Sequence, residues 1–101
     1  MWEAQRHSLT SECRIITFDL PGFGRGGPVP PGLTMQSCAD MAVALLDHCG
    51  LESAVVGGCS MGGYIALAML RHHPARVRGL LLANTKAGAD SDEGRAARLA
   101  Q

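Results

Sequence analysis

The segment SAVVGGCSMGGYIALAML, residues 53–70, decides the fold because it joins a short apolar run to a long one through a glycine-rich turn. The first run has the length and β-branched content of a buried strand, and the second is typical of a buried helix. Gly58, Ser60 and Gly62 form a G-x-S-x-G pattern between them. A strand, a sharp turn and a helix in this order expose a serine hydroxyl as a nucleophile.

Ser60 is therefore the candidate nucleophile. At neutral pH, however, a serine hydroxyl reacts only when a base takes its proton and hydrogen-bond donors stabilise the oxyanion that forms. We expect Gly58 and Gly62 to let the strand and the helix approach closely, and Ser60 to adopt a strained backbone conformation. The backbone N–H of Met61 opens the helix and is the expected oxyanion donor, aided by the helix dipole. The alternative is that Ser60 lies in a glycine-rich turn that only connects the strand to the helix.

Composition narrows the class of protein. The chain has 101 residues, the size of one small domain, and carries 9 basic and 9 acidic residues. This balance argues against a nucleic-acid or anionic-membrane partner. No apolar run approaches the roughly 18 residues of a membrane span, and the first residues do not resemble a signal peptide. We therefore expect a cytoplasmic protein.

The cysteines predict neither a metal site nor a redox motif. They form no C-x-x-C pair, and no histidine or cysteine has zinc-finger spacing. We expect free thiols in a reducing compartment, no metal and no cofactor. Cys59, although beside Ser60, is expected to pack rather than to react. The cysteines are Cys13, Cys38, Cys49 and Cys59.

The pattern along the chain alternates strands and helices. Predicted helices cover residues 2–9, 34–49 and 61–72, with a new start at 91–93, and predicted strands cover residues 14–18, 53–57 and 77–83. Connections of this length give a parallel sheet covered by helices, hence a three-layer α/β/α arrangement whose apolar strands are buried on both faces. Residues 19–32 hold five glycines and four prolines and are expected to form a loop.

Other glycine-rich motifs do not explain the chain. Gly22, Gly24 and Gly27 formally satisfy G-x-G-x-x-G, but a dinucleotide site needs a helix to open there, and the prolines that follow exclude one. A P-loop needs a Gly-Lys-Ser/Thr sequence, and the lone lysine, Lys86, lies near neither glycine cluster.

Four segments resemble, in family order, parts of the α/β-hydrolase fold family. Residues 14–24 are similar to its fourth strand and Asp-x-x-Gly-x-Gly loop, residues 55–63 to its fifth strand and nucleophile elbow, and residues 73–77 and 80–85 to a helix end and the sixth strand. The resemblance implies that residues 1–101 are one partial α/β-hydrolase domain, with the tail from about residue 90 beginning a cap or lid helix.

The chain also departs from that family. Members carry a His-Gly loop whose backbone gives the second oxyanion donor, and nothing before Trp2 matches it. They carry the triad acid and histidine beyond the region that this chain matches. The resemblance thus implies an internal fragment in which the triad His and acid are absent. In the family a third strand ends in that His-Gly loop and lies between the fourth and fifth strands. Without it, either the first predicted strand pairs directly with the second, or their facing edges stay open and favour self-association.

No histidine of the chain is a good substitute for the missing base. His72 and His73 lie about 18 Å along the helix from Ser60, because each helical residue adds about 1.5 Å, whereas proton transfer needs about 3 Å. His7 and His48 are expected on the surface.

The chain likewise offers no clear triad acid. Asn84 stands where some relatives have a carboxylate, and an amide cannot stabilise an imidazolium in the same way. Asp90 and Asp92 are weaker candidates, better explained by a helix start, and Asp19 is expected to organise the glycine–proline loop.

The resemblance implies a serine hydrolase whose substrate is a small carboxylic ester or lactone, similar to esterases and 3-oxoadipate enol-lactonase-like proteins. The fragment is expected to be inactive alone. The same elbow serves acyltransferases, C–C hydrolases and haloperoxidase-like enzymes, and a fold does not determine a function. A non-catalytic interaction module is the remaining alternative, motivated by the absent base.

Overall fold

The computed structural model describes residues 1–88 and 92–99. It divides into two compact units, Met1–Gly32 and Leu33–Gln101, and the second carries the sheet and Ser60. Across the described ranges, no helix combines the length and the apolar character that crossing a membrane requires.

The first unit contains one helix and no strand. Helix α1 spans Glu3–Leu9, as predicted. Residues 14–18, predicted as a strand, are neither helix nor strand, so that prediction is wrong. Their β-branched composition suits a strand, but a strand forms only where a neighbour satisfies its backbone hydrogen bonds. No residue of Met1–Gly32 supplies such a neighbour.

Residues 19–32 form a loop, as their glycines and prolines predict. The carboxylate of Asp19 accepts a hydrogen bond from the Arg25 N–H at 3.0 Å. Gly24 has a φ of +46° and packs so closely that a Cβ there would lie 2.4 Å from the same carboxylate. Asp19 therefore organises this loop, which confirms its predicted structural role.

The second unit alternates helices and strands in the predicted order. Its elements are α2 (Met35–His48), β1 (Ala54–Cys59), α3 (Met61–His72), a 3-10 turn (Pro74–Arg76), β2 (Val77–Ala83) and α4 (Asp92–Leu99). The predicted bounds agree closely for the two strands and for α2 and α3. Ser91 lies outside the described residues, and Asp92 lies in the first turn of α4.

Strands β1 and β2 form a parallel sheet of two strands, not the predicted three, because residues 14–18 do not join it. The register pairs Val56 with Leu80 and Cys59 with Ala83. The α/β class and the parallel direction are confirmed. Both strands end at the same edge, where α3 begins.

The two faces of this sheet are not equally covered. Helix α3 packs on β1, and α2 packs on α3. Val55 and Leu81, on the opposite face, are 65% and 57% exposed. The expectation that the strands are buried on both faces is therefore wrong at these two residues.

Helix α2 is bounded by local signals that the sequence carries. Thr34 Oγ1 accepts the Ser37 N–H at 3.0 Å, and Ser37 Oγ accepts the Thr34 N–H at 3.3 Å, which together form a capping box. Gly50 follows the helix with a φ of +70°, a conformation that glycine adopts without a Cβ penalty. The core between α2 and α3 centres on Ala39, Leu46 and Met69.

Arg76 ties the start of β2 to the segment before β1. Its Nε donates to the Glu52 carbonyl at 2.5 Å, and its Nη2 donates to Asp47 Oδ1 at 2.6 Å and to the Leu51 carbonyl at 2.9 Å. A planar guanidinium can hold several acceptors at once. This side chain therefore helps to fix the relative position of the two strands that present Ser60.

Cys38 gives a prediction for thiol chemistry. It is 1% exposed, and burial raises the pKa of its thiol above the ordinary value, whereas Cys13 is exposed. At neutral pH a thiol reagent should modify Cys13 quickly and Cys38 only on unfolding.

The same pKa shift makes the free energy of unfolding depend on pH. Because the pKa of Cys38 is higher in the folded than in the unfolded chain, its contribution to stability is fully present below about pH 8.5, where an exposed thiol titrates. That contribution is lost as the pH rises through the pKa of the folded state. Urea unfolding of Cys38→Ala against Cys13→Ala measures this; an equal alkaline loss in both variants would contradict it.

Candidate active site

Ser60 occupies a sharp turn between the last residue of β1 and the first residue of α3. Its backbone has φ 55° and ψ −116°. This positive φ is unusual for a residue with a Cβ, and the ψ lies outside the left-handed helical region. Conformations of this kind persist only when the surrounding structure holds them, and they cluster at functional sites. The strained turn predicted for Ser60 is present.

Three hydrogen bonds hold the Ser60 backbone. Its N–H donates to the Ala83 carbonyl at 3.0 Å, and its carbonyl accepts the Gly63 N–H at 2.9 Å. The Thr85 hydroxyl donates to the same carbonyl at 2.9 Å. The end of β2 and the residues after it therefore fix the turn, although they lie more than twenty positions away in sequence.

The Ser60 side chain is not used as a helix cap. Ser60 occupies the N-cap position of α3 but makes no side-chain capping hydrogen bond. Serine at this position ordinarily accepts a backbone N–H of the first turn. Ser60 is exposed. Its hydroxyl is thus available for another purpose.

This difference predicts unequal effects of two alanine variants on stability. Thr34→Ala should lower the free energy of unfolding by about 0.5–2 kcal/mol, because it removes a helix cap. Ser60→Ala should change it by less than about 0.5 kcal/mol, because the hydroxyl caps nothing. Urea denaturation of both variants measures the difference. A loss in Ser60→Ala as large as that in Thr34→Ala would assign Ser60 a structural role.

Close approach of the strand and the helix depends on Gly58 and Gly63. A Cβ on Gly58 would lie 2.2 Å from the Gly62 carbonyl oxygen, and one on Gly63 would lie 2.4 Å from the Thr85 side chain. A Cβ on Gly62 would have no such neighbour within 4 Å. The expected requirement for a small residue therefore holds at Gly58 but not at Gly62, and the sequence pattern did not identify Gly63.

Met61 is the first residue of α3, and its N–H belongs to the first turn, whose N–H groups have no partner within the helix. No acidic residue lies in that turn, so the positive helix end is not neutralised locally. The role of this N–H as the oxyanion donor stays a prediction.

The histidines of the second unit do not surround Ser60. His72 ends α3, twelve positions after Ser60. His73 Nε2 lies 2.7 Å from Asp40 Oδ1, so this ring is engaged with a carboxylate and its side chain is only 30% exposed. His48 ends α2 and is exposed, as predicted.

The candidate acids are placed as follows. Asn84 directly follows β2, is exposed and has a φ of 48°. Asp92 is exposed at the start of α4, and Asp90 lies outside the described residues. Within residues 1–88 and 92–99, no three His, Cys, Asp or Glu side chains are grouped to hold a metal ion.

Two open cavities lie on the second unit, and Ser60 lines neither of them. One has a volume of about 450 Å³ beside Arg76. The other, of about 370 Å³, runs along the face of α3 that carries Tyr64, Leu67 and Arg71.

Cys59, half-buried at the end of β1, is a free thiol. Ser60 itself is exposed.

These features place an exposed, strained serine turn at the carboxyl edge of a parallel sheet, and the family comparison identifies the fold. The model of the alpha/beta hydrolase fold matches residues 1–100, and the chain belongs to that family.

The chain is similar to several hydrolases. A thermophilic esterase from Thermogutta terrifontis has a TM-score of 0.87 and 43% sequence identity, over 96% of this chain and 36% of the esterase chain. A zearalenone hydrolase from Cladophialophora bantiana is 37% identical over 73 residues, which are 68% of this chain and 28% of the relative. The 3-oxoadipate enol-lactonase 1 from Acinetobacter baylyi is 32% identical over 94 residues, 93% of this chain and 35% of the relative. The chain thus spans about a third of their length.

Proposed function

We propose that this chain is part of a serine hydrolase that acts on carboxylic esters or lactones, with Ser60 as the nucleophile. The observation that carries the proposal is the Ser60 turn: a strained, exposed serine whose hydroxyl does not cap the helix it precedes. Similarity to a thermophilic esterase and to an enol-lactonase supports this substrate class.

The chemistry proceeds in two stages. Ser60 Oγ attacks the substrate carbonyl carbon and gives its proton to a base, while the Met61 N–H binds the oxyanion. The C–O bond to the leaving alcohol breaks, and that oxygen receives the proton, which leaves an acyl group on Ser60. Water then attacks the acyl-enzyme, the base accepts a proton from the water, and Ser60 Oγ recovers its proton as the acid departs.

The base and the acid of this reaction belong, in our proposal, to the part of the full-length relatives that this chain does not span. His72 lies about 18 Å from Ser60 along the helix axis, since each residue adds about 1.5 Å. His73 is paired with Asp40, and Asn84 offers an amide in place of a carboxylate. The chain alone should therefore turn over esters slowly or not at all.

A chimera tests the proposal. In it, this chain replaces the matching segment of the Thermogutta terrifontis esterase, to which it is 43% identical. The chimera should hydrolyse a short-chain p-nitrophenyl ester, and the chain alone should not. A folded chimera without turnover would contradict the proposed function. Robust turnover by the chain alone, lost in Ser60→Ala, would place the base within it.

A further inference from the structure

We propose that Thr85 is a positioning residue that sets the direction of the Met61 N–H, the oxyanion donor of the proposed function on which this inference rests. Its hydroxyl donates to the Ser60 carbonyl at 2.9 Å. It acts through the backbone.

The link between Thr85 and Met61 is the planar peptide unit. The Ser60 carbonyl and the Met61 N–H belong to one peptide group, in which the six atoms share a plane and the C=O and N–H point in opposite directions. Whatever fixes the carbonyl therefore fixes the N–H. The carbonyl is held from two sides, by the Gly63 N–H at 2.9 Å and by the Thr85 hydroxyl.

Such an external hold is needed at this peptide. Ser60 has φ 55° and ψ −116°, and the second of these angles sets the orientation of the plane that contains the Met61 N–H. A conformation so sparsely populated relaxes unless its surroundings over-determine it. A hydrogen bond to the carbonyl also polarises the peptide, which strengthens its N–H as a donor.

The packing around Thr85 indicates that its position is itself defined. Gly63 approaches so closely that a Cβ there would lie 2.4 Å from Thr85 Oγ1 and Cγ2. The Ala83 carbonyl, two residues before Thr85, receives the Ser60 N–H at 3.0 Å. The segment Ala83–Thr85 therefore binds both backbone polar groups of Ser60. The Thr85 hydroxyl holds the carbonyl, which belongs to the same peptide unit as the Met61 N–H.

Selective labelling of the 101-residue chain with ¹⁵N-methionine tests this inference without requiring turnover. Thr85→Val keeps the shape against Gly63 and removes the hydroxyl. It should shift the Met61 amide resonance more than those of Met35, Met41 and Met69. Thr85→Ser keeps the hydroxyl and should restore the wild-type Met61 position. The control Thr34→Val, at the cap of α2, should perturb Met35 and leave Met61 in place.

In the active chimera, Thr85→Val should lower kcat about tenfold with KM unchanged, less than the roughly 10²–10³-fold loss that removal of an oxyanion donor causes. An unmoved Met61 resonance in folded Thr85→Val would overturn the inference, whatever the activity of Ser60. If Thr85→Val does not fold, a Met61 resonance displaced in Thr85→Ser would overturn it equally. Failure of the hydrolase proposal would instead appear as an inactive chimera with the Met61 response intact.

Discussion

Ser60→Ala is expected to lower kcat for p-nitrophenyl ester hydrolysis by the chimera about 10⁶-fold, the scale on which a serine hydrolase loses activity with its nucleophile. The reason is chemical. Alanine leaves the elbow and its hydrogen bonds, which are made by the backbone, but offers no oxygen to attack the carbonyl. Steady-state kinetics on the purified variant measure the loss, and circular dichroism checks that the fold is retained.

The matched control is Cys59→Ala, next to Ser60 in sequence. Cys59 is a half-buried free thiol, and a thiol is intrinsically a stronger nucleophile than a hydroxyl. Because Ser60 and not Cys59 occupies the tip of the turn, Cys59→Ala should change kcat less than tenfold. The opposite pattern, with activity lost in Cys59→Ala and kept in Ser60→Ala, would assign the chemistry to the thiol.

Gly58→Ala should have the largest effect on stability, a loss of about 3 kcal/mol or more. The added Cβ would lie 2.2 Å from the Gly62 oxygen, 2.3 Å from its carbonyl carbon and 2.6 Å from the Gly63 nitrogen. Overpacking ordinarily costs about 1–3 kcal/mol, and more where relief requires backbone movement. All three contacts here are with backbone atoms that begin α3. Urea denaturation of the 101-residue chain measures the loss.

Gly62→Ala is the control for Gly58→Ala, because both replace a glycine of the same five-residue pattern. The new Cβ would meet no atom within 4 Å outside its immediate neighbours and the backbone of its own helix, and alanine favours a helix by about 1 kcal/mol over glycine. The free energy of unfolding should therefore stay the same or rise. Equal destabilisation by the two variants would mean that the pattern requires glycine for a reason other than space.

The ends of α2 and the position of the Ser60 turn can be predicted from sequence because they depend on residues that are close together in the chain. Thr34 and Gly50 bound α2 through contacts within a few residues. The order of an apolar strand, Ser60 and an apolar helix is likewise visible in neighbouring residues. The pattern therefore identifies where the turn lies, although Ala83 and Thr85 hold it from a distance in sequence.

The features that sequence reasoning missed depend on contacts between distant residues. The strand predicted at residues 14–18 lacks a hydrogen-bonding neighbour, and composition cannot supply one. The hydroxyl of Thr85 meets the Ser60 carbonyl across 25 positions, and His73 meets Asp40 across 33. A threonine two residues after a strand gives no local sign of such a partner. The close packing at Gly63 was missed for the same reason.

The most direct measurement is peptide mapping of the chimera after treatment with an organophosphate, which transfers its phosphoryl group to an activated serine. We predict a single adduct on Ser60, formed with loss of esterase activity and absent from Ser60→Ala. An adduct on another residue, or full inactivation with Ser60 unmodified, would show that this serine is not the nucleophile.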